Sequence, residues 1–202
     1  MGDWALKKIG LTGGIASGKS TAVKIFVENG FKVIDSDLIV KNILDNDEEI
    51  TLYIKKFFGE KFFKFGRLLK KDFGEYIFTY DDARKKYEDF IMPKIFEKID
   101  EEFLKHEKRG EKICILDAPL LIEKNLHKKM DFVVLIFVSE EIQLKRLILR
   151  DGICKESAMK RINAQMDLNT KKIFSDFIID NSKGRLELKE QINKLCSSFK
   201  KM

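Results

Sequence analysis

Two hydrophobic rhythms alternate along the chain. Short unbroken apolar runs occur at Ile9-Gly10-Leu11, Val33-Ile34, Lys112–Leu116 (KICIL), Phe132–Val138 (FVVLIFV) and Phe177-Ile178-Ile179. Runs this short and apolar at every position predict strands covered on both faces, as in a parallel sheet. Phe132–Val138 is the most apolar of them and rich in β-branched residues, which predicts a central strand. Between the runs, apolar residues recur at helical spacing. Ala22, Val23, Ile25, Phe26 and Val27 form one stripe that Asn29-Gly30 stops. Leu38, Ile39, Val40, Ile43 and Leu44 form a second, and Leu186–Phe199 closes the chain with an amphipathic helix. Strands alternating with helices predict an α/β fold around a parallel sheet.

One stretch departs from that rhythm. From Asp45 to Gly110 the chain is charged and rich in Phe, with helical stripes at Ile50, Tyr53, Ile54, Phe57 and Phe58, then at Ile91, Ile95, Phe96, Ile99 and Phe103. Gly59, Gly66 and Gly74 read as turns, and Met92-Pro93 predicts a helix start with Pro in the first turn. The stretch is too long for an ordinary connection between strands. It predicts a helical insertion that covers the sheet edge and offers a surface for a second substrate, with most of its aromatics serving as core.

The chemistry starts after the first strand. Gly13-Gly14-Ile15-Ala16-Ser17-Gly18-Lys19-Ser20 fits G-x-x-x-x-G-K-[ST] and lies between a strand and a helix, the context this phosphate-binding pattern requires. Its glycines let the backbone curl so that N–H groups from Gly14 to Thr21 point at a phosphate chain, and the helix adds the positive end of its dipole. Lys19 reaches the outer phosphates, while the Ser20 hydroxyl suits Mg²⁺. A nucleoside triphosphate is the expected ligand.

Carboxylates mark the ends of two further strands. Asp35-Ser36-Asp37 follows Val33-Ile34, and Asp117 follows KICIL; in open parallel sheets, ligands sit at these carboxyl ends. Helix capping is the competing use of Asp35 and Asp37, and capping or turn formation that of Asp117. Further on, Ser139 is a predicted N-cap with Glu140-Glu141 behind it. Gln143, Leu144, Arg146, Leu147 and Arg150 follow on one helix, Asp151-Gly152 breaks it, and a second helix carries Ala158, Arg161, Ile162 and Gln165. Three arginines around a break suit forked phosphate contacts on a closing lid, or else form a solvated face. Asp180-Asn181-Ser182 stands at the tip of the last strand.

Composition narrows the classes. In 202 residues, 44% are hydrophobic and 36% charged, as expected of a folded domain. The net charge of +6 invites a nucleic-acid partner, yet only seven of the 39 basic residues are Arg, and none forms an aromatic-interleaved patch. Neither nucleic acid nor membrane is an expected partner. Cys114, Cys154 and Cys196 are odd in number and lack metal-like spacing, which predicts a reducing, cytoplasmic setting. No apolar run approaches membrane-spanning length, the N-terminus lacks a signal core, and the myristoylation pattern hinted at by Met1-Gly2 fails at Leu6.

Taken together, these motifs resemble the dephospho-CoA kinase family over almost the whole chain. Leu11–Thr21 is similar to that family's nucleotide loop, with Ala16 where Gly is commoner, and Val33–Asp37 to its V-I-D-A-D segment. Asp117-Ala118-Pro119-Leu120-Leu121-Ile122-Glu123 matches its D-x-P-L-L-x-E stretch. Gln143–Leu147, Arg150-Asp151-Gly152, Arg161 and Gln165 resemble its lid, and Asp180-Asn181-Ser182 its closing segment near the adenine. Lys70 stands at a place where the family often has Arg, with Arg67 shifted, and Met92-Pro93 replaces the usual His-Pro.

The resemblance implies a nucleoside-monophosphate-kinase-like P-loop fold in three layers. A five-stranded parallel sheet has helices on both faces, with a core of residues 1–45, 111–140 and 176–202, a substrate-binding insertion at 46–110 and a lid at 141–175. It implies transfer of the ATP γ-phosphoryl group to the ribose 3′-hydroxyl of dephospho-CoA by a monomer or weak homo-oligomer. Implied ATP-binding residues are Gly13, Gly14, Ile15, Ala16, Ser17, Gly18, Lys19, Ser20, Thr21, Arg146, Arg150 and Asn181. Asp37, Lys19, Arg146 and Asp35 are the implied catalytic group; Asp37, Lys70, Pro119, Leu120 and Arg161 meet the second substrate; Ser20 and Asp117 hold Mg²⁺. A kinase for a nucleoside monophosphate would share the loop and lid but not D-x-P-L-L-x-E. A nucleic-acid-stimulated NTPase would need Arg outside the lid.

Overall fold

A computed structural model describes residues 5–201 and divides the chain into two compact units, one running to Asp35 and resuming at Phe103, the other Ser36–Glu102. Met1 and Gly2, where the rejected acylation pattern would begin, lie outside the described residues. Along the chain come β1 (Lys7–Gly13), α1 (Lys19–Glu28), β2 (Lys32–Asp35), α2 (Ser36–Asn46) and α3 (Glu48–Phe58). A hairpin of β3 (Phe63–Lys64) and β4 (Arg67–Leu68) follows, then α4 (Lys70–Thr79) and α5 (Asp81–Lys108). The remainder is β5 (Ile113–Asp117), β6 (Phe132–Phe137), α6 (Glu140–Asp151), α7 (Lys155–Asn163), α8 (Leu168–Lys172), β7 (Phe177–Asp180) and α9 (Arg185–Phe199).

In the first unit, five parallel strands take the order β2-β5-β1-β6-β7. The five apolar runs of the sequence are these five strands. β1 is central, so the loop that leaves it is flanked by the carboxyl ends of β5 and β6. Ile9, Leu11, Ile115, Val134, Ile136 and Ile179 point to one face and pack against Ala22, Ile25 and Phe26 of α1 and Leu188, Ile192 and Phe199 of α9. The Phe199 ring meets Phe132, Phe177 and Phe31, with centroids 5.4–6.3 Å apart. Each such buried side chain contributes about 1.5–3 kcal/mol of apolar burial. On the opposite face Leu121 covers Gly10 so closely that a Cβ there would lie 2.5 Å from its Cδ2. The sheet is thus covered on both faces, as its uninterrupted hydrophobicity requires.

The second unit has an aromatic core. Phe58, Phe62 and Phe73 are buried, and Phe73 meets the rings of Phe58, Phe62 and Tyr87 edge-on at 5.0–5.4 Å. Tyr53 stacks on Phe90 at 3.6 Å. Burial of the Tyr87 phenol pushes its pKa above the ordinary tyrosine range. Asp47 caps α3, its carboxylate accepting from the N–H groups of Glu49 and Ile50, while Lys55 and Lys56 lie in the last turn.

Three local expectations fail here. Pro93 lies inside α5, not in a first turn; the helix starts at Asp81 and runs through it. The ring costs about 3 kcal/mol and one hydrogen bond, but Ile91, Ile95 and Ile99 continue a buried stripe across it, each contributing about 1.5–3 kcal/mol. Gly74 sits within α4 rather than in a turn. Finally, the segment is not wholly helical: Phe65 (φ 50°) and Gly66 (φ 76°) form the two-residue tip of the β3–β4 hairpin. A turn with positive φ at both central residues favours Asn, Asp or Gly, so Phe65 hides the signal.

Candidate active site

β1 delivers the glycine-rich loop and α1 receives it at Lys19. Two loop residues have left-handed backbones, Ala16 (φ 58°) and Gly18 (φ 93°). Side-chain amides from distant elements hold the curve. Ile15 donates its N–H to Gln165 Oε1 at 2.8 Å and accepts from Gln143 Nε2 at 2.9 Å. Asn181 Nδ2 donates to the Ser17 carbonyl at 2.8 Å. Two glycines make room for these amides: a Cβ on Gly14 would stand 2.4 Å from Gln143 Nε2, and one on Gly18 would stand 2.1 Å from Asn181 Nδ2.

The N–H groups of Ile15, Ser17 and Thr21 donate within the protein, the latter two to the carbonyls of Gly14 and Gly18. At Gly18, the N-cap, and at Lys19 and Ser20 in the first turn of α1, helix geometry provides no acceptor for the N–H groups, and no side chain caps the end.

At the carboxyl edge of the sheet, Asp117 of β5 accepts from the Lys19 ammonium in a mostly buried ion pair. Asp35, the last residue of β2, is the register partner of Asp117 on the neighbouring strand, and its side chain is exposed. Asp37 lies two residues on, exposed in the first turn of α2. Within the second unit, Lys70 at the start of α4 pairs with Asp45 of α2 at 2.6 Å.

The arginines of α6 and α7 divide into two kinds. Arg146 donates to the carbonyl of Asn181 at 2.8 Å, the same residue whose side-chain amide holds Ser17. Arg150 and Arg161 both bind Asp151, Arg150 through Nε at 2.7 Å and Arg161 through Nη1 at 2.7 Å. The Arg150 guanidinium, bonded to the Asp151 carboxylate, holds it below the ordinary carboxylate range. The break between the two helices is Gly152 (φ 63°), and Ser139 caps α6 through the Ile142 N–H. Gln165, which the pattern put on a helix, lies beyond the end of α7, and this frees its amide to reach the loop.

The sequence matches the dephospho-CoA kinase family model over residues 7–187. The chain belongs to the dephospho-CoA kinase family. Among curated family members, the dephospho-CoA kinase of Clostridium tetani is 45% identical over 93% of this chain and 84% of its own length. That of Clostridium perfringens is 42% identical over 95% and 97%. Among solved structures, the dephospho-CoA kinase from Campylobacter jejuni superposes with a TM-score of 0.74 at 31% identity, over 96% of this chain and 97% of that one. TT1252 from Thermus thermophilus gives a TM-score of 0.85 at 27% identity over the same shares.

Ala16 falls on a left-handed backbone position that glycine occupies without strain. Pro119 and Leu120 of the D-x-P-L-L-x-E stretch also behave differently from one another. Leu120 is 40% exposed, whereas the Pro119 carbonyl accepts from Thr12 Oγ1 at 3.1 Å and from Lys171 Nζ at 2.7 Å. Lys171, fully buried, also pairs with Glu123 Oε1 at 2.9 Å. Motif reading missed Lys171, Thr12 and Glu123 as partners, and assigned Gln143 and Gln165 to the lid alone. One signal was available: Gln143 and Leu147 are four apart, so a polar residue occupies the buried face of α6.

No group of three or more His, Cys, Asp or Glu side chains able to hold a metal occurs among the described residues. A hydroxyl at Ser20 and a carboxylate at Asp117 nevertheless fit Mg²⁺, which keeps water and substrate phosphate in its shell and takes only one or two protein ligands. No helix of the described residues is long and apolar enough to cross a membrane.

Proposed function

We propose that this chain transfers the γ-phosphoryl group of ATP to the ribose 3′-hydroxyl of dephospho-CoA, giving CoA and ADP, the last step of coenzyme A synthesis. The observation that carries the reading is the Lys19–Asp117 pair at the mouth of an uncapped phosphate loop, in a chain matched along residues 7–187 by one kinase family. Lys19 moves from Asp117 to the β- and γ-phosphates, and the first-turn N–H groups of α1 hold the phosphate chain. Ser20 and Asp117 would hold Mg²⁺, which would neutralise charge on the phosphates.

Asp37 accepts the proton of the 3′-hydroxyl as that oxygen bonds to the γ-phosphorus and the bond to the β–γ bridging oxygen breaks, leaving ADP. Asp35 supports it from the end of β2. Arg146 faces the phosphates from beside Asn181, and Arg150 and Arg161 exchange Asp151 for phosphate oxygens, which suit a planar fork. Pro119, Leu120 and Arg161 contact the acceptor from the first unit, and Lys70 contacts it from the second. The reaction takes place in the cytoplasm, in keeping with the three free cysteines.

The test is an ADP-release assay with Mg·ATP in which dephospho-CoA, AMP, CMP, shikimate and no acceptor are compared for wild type and Asp37→Asn. Turnover confined to dephospho-CoA and reduced by roughly 10²–10⁴ in the variant is expected. Turnover that survives the substitution would move the base to Asp35. Turnover independent of dephospho-CoA would overturn the activity.

A further inference from the structure

Lys171 lies on α8 with no exposed surface, outside every motif of the nucleotide site. Its ammonium grips two points of the turn that follows Asp117: the Pro119 carbonyl at 2.7 Å and Glu123 Oε1 at 2.9 Å. The same turn is held from β1, where the Leu11 carbonyl accepts from the Ala118 N–H at 3.0 Å and Thr12 Oγ1 donates to the Pro119 carbonyl at 3.1 Å. Glu123 Oε1 is held in turn by the Met166 N–H at 3.2 Å, next to Gln165, whose amide holds the phosphate loop. Thus β1, the turn after Asp117 and the end of the lid segment converge on one buried ammonium and one carboxylate.

As a stability device this arrangement is poor. Removing an ammonium and a carboxylate from water costs several kcal/mol per ion, and apolar residues of the same size often serve as well or better. Burial pulls the Lys171 pKa below the ordinary lysine value, and Glu123 only partly opposes that pull. What an ion pair does better than leucines is fix direction, because its hydrogen bonds specify where the turn stands. That turn begins one residue after Asp117.

We propose that Lys171 is a positioning residue for phosphoryl transfer: its grip on Pro119 and Glu123 sets the direction from which Asp117 leaves β5 and couples that direction to the lid segment. The proposal rests on Asp117 acting at the phosphates, as argued above. It requires Lys171 to affect the chemical step more than the affinity for either substrate, and to do so apart from its effect on folding.

The experiment compares wild type, Lys171→Met, Lys171→Arg, Thr12→Val and the double variant Lys171→Met/Glu123→Gln, reading kcat, both KM values, the thermal midpoint and amide hydrogen exchange without nucleotide. Lys171→Met leaves the half-buried Glu123 carboxylate without its cation, so it loses both stability and turnover. The double variant removes both charges and is expected to recover the thermal midpoint, while kcat stays down about 10–100-fold and each KM stays within about threefold. In the same variant the amides of Leu121 and Lys124 exchange about tenfold faster, and those of α9 are unchanged. Thr12→Val, which removes a donor to Pro119 without touching a charge, shows a smaller fall in kcat of about threefold. Lys171→Arg, unable to seat its fork in a lysine-sized site, resembles the double variant. A double variant with wild-type kcat, or a loss of kcat in Thr12→Val and Lys171→Arg that only tracks their thermal midpoints, overturns the proposal. Failure of wild type to turn over dephospho-CoA would instead strike the activity assignment, and the exchange comparison would still decide whether Lys171 orders the turn.

Discussion

Asp35 stands directly opposite Asp117 in the parallel register of β2 and β5. Paired residues of adjacent strands project to the same side of a sheet, so one strand edge presents two carboxylates beside the loop that β1 delivers. Asp117 is engaged by Lys19, whereas Asp35 is exposed. Asp35→Asn is therefore expected to lower kcat by only about 10-fold, against 10²–10⁴ for Asp37→Asn, with the KM for ATP little changed in both. Steady-state kinetics of the two variants checks the order. An Asp35 effect equal to or greater than that of Asp37 would reverse the two roles.

Gly18 and Asn181 are coupled by space. A methyl group at Gly18 would meet the Asn181 amide at 2.1 Å, and the backbone there has φ 93°. Gly18→Ala should cost about 1–2 kcal/mol for the left-handed conformation and, beyond that, displace the amide that holds Ser17. Asn181→Ala alone should weaken ATP binding by releasing that carbonyl. The double variant then falls short of the sum, because the clash and the hydrogen bond cannot both be lost twice. Calorimetric ATP binding to the four proteins measures the coupling, and strict additivity would refute it.

The parts of this molecule that were legible in the sequence are those whose cause is local. Gly13–Ser20 announces itself because one short stretch must curl, bind and start a helix. Phe132–Val138 reads as a strand from its own composition. The other half of the site is non-local: Gln143 and Gln165 reach Ile15 across 128 and 150 residues, and Lys171 reaches Pro119 across 52. No spacing rule encodes such contacts. Pro93 was misread for a related reason, since the local preference for a helix start yields to buried isoleucines on either side. The hairpin at Phe65-Gly66 escaped because only one of its two central residues is a customary turn former.

Ala16 offers a gain rather than a loss. Its φ of 58° places an L side chain in a region that costs about 1–2 kcal/mol, whereas glycine pays about 0.4–1 kcal/mol through greater freedom of the unfolded chain. Ala16→Gly should therefore be neutral to stabilising by roughly 1 kcal/mol, with kcat unchanged within about twofold. Chemical denaturation with and without ATP measures this. Destabilisation by more than about 1 kcal/mol would mean that the methyl group packs favourably with the loop's neighbours.

Arg150 and Arg161 share one carboxylate, and the sign of its pKa shift gives a pH prediction. Because Arg150, chiefly through its hydrogen bonds, lowers the Asp151 pKa, the tether holds above the ordinary carboxylate value of about 4 and is lost as the pH falls through the lowered one. Carboxyl-carbon NMR should place the Asp151 midpoint below that of an unperturbed aspartate, and Arg150→Gln should move it back up. The pair is exposed, so freeing both arginines by Asp151→Asn should change the KM for ATP by less than about fivefold, in line with the small worth of surface ion pairs. Arg146→Gln removes a guanidinium anchored beside the loop and should reduce kcat by about 10²-fold or more. If Asp151→Asn were instead as damaging as Arg146→Gln, Asp151 would be aiming the lid arginines rather than merely sharing them.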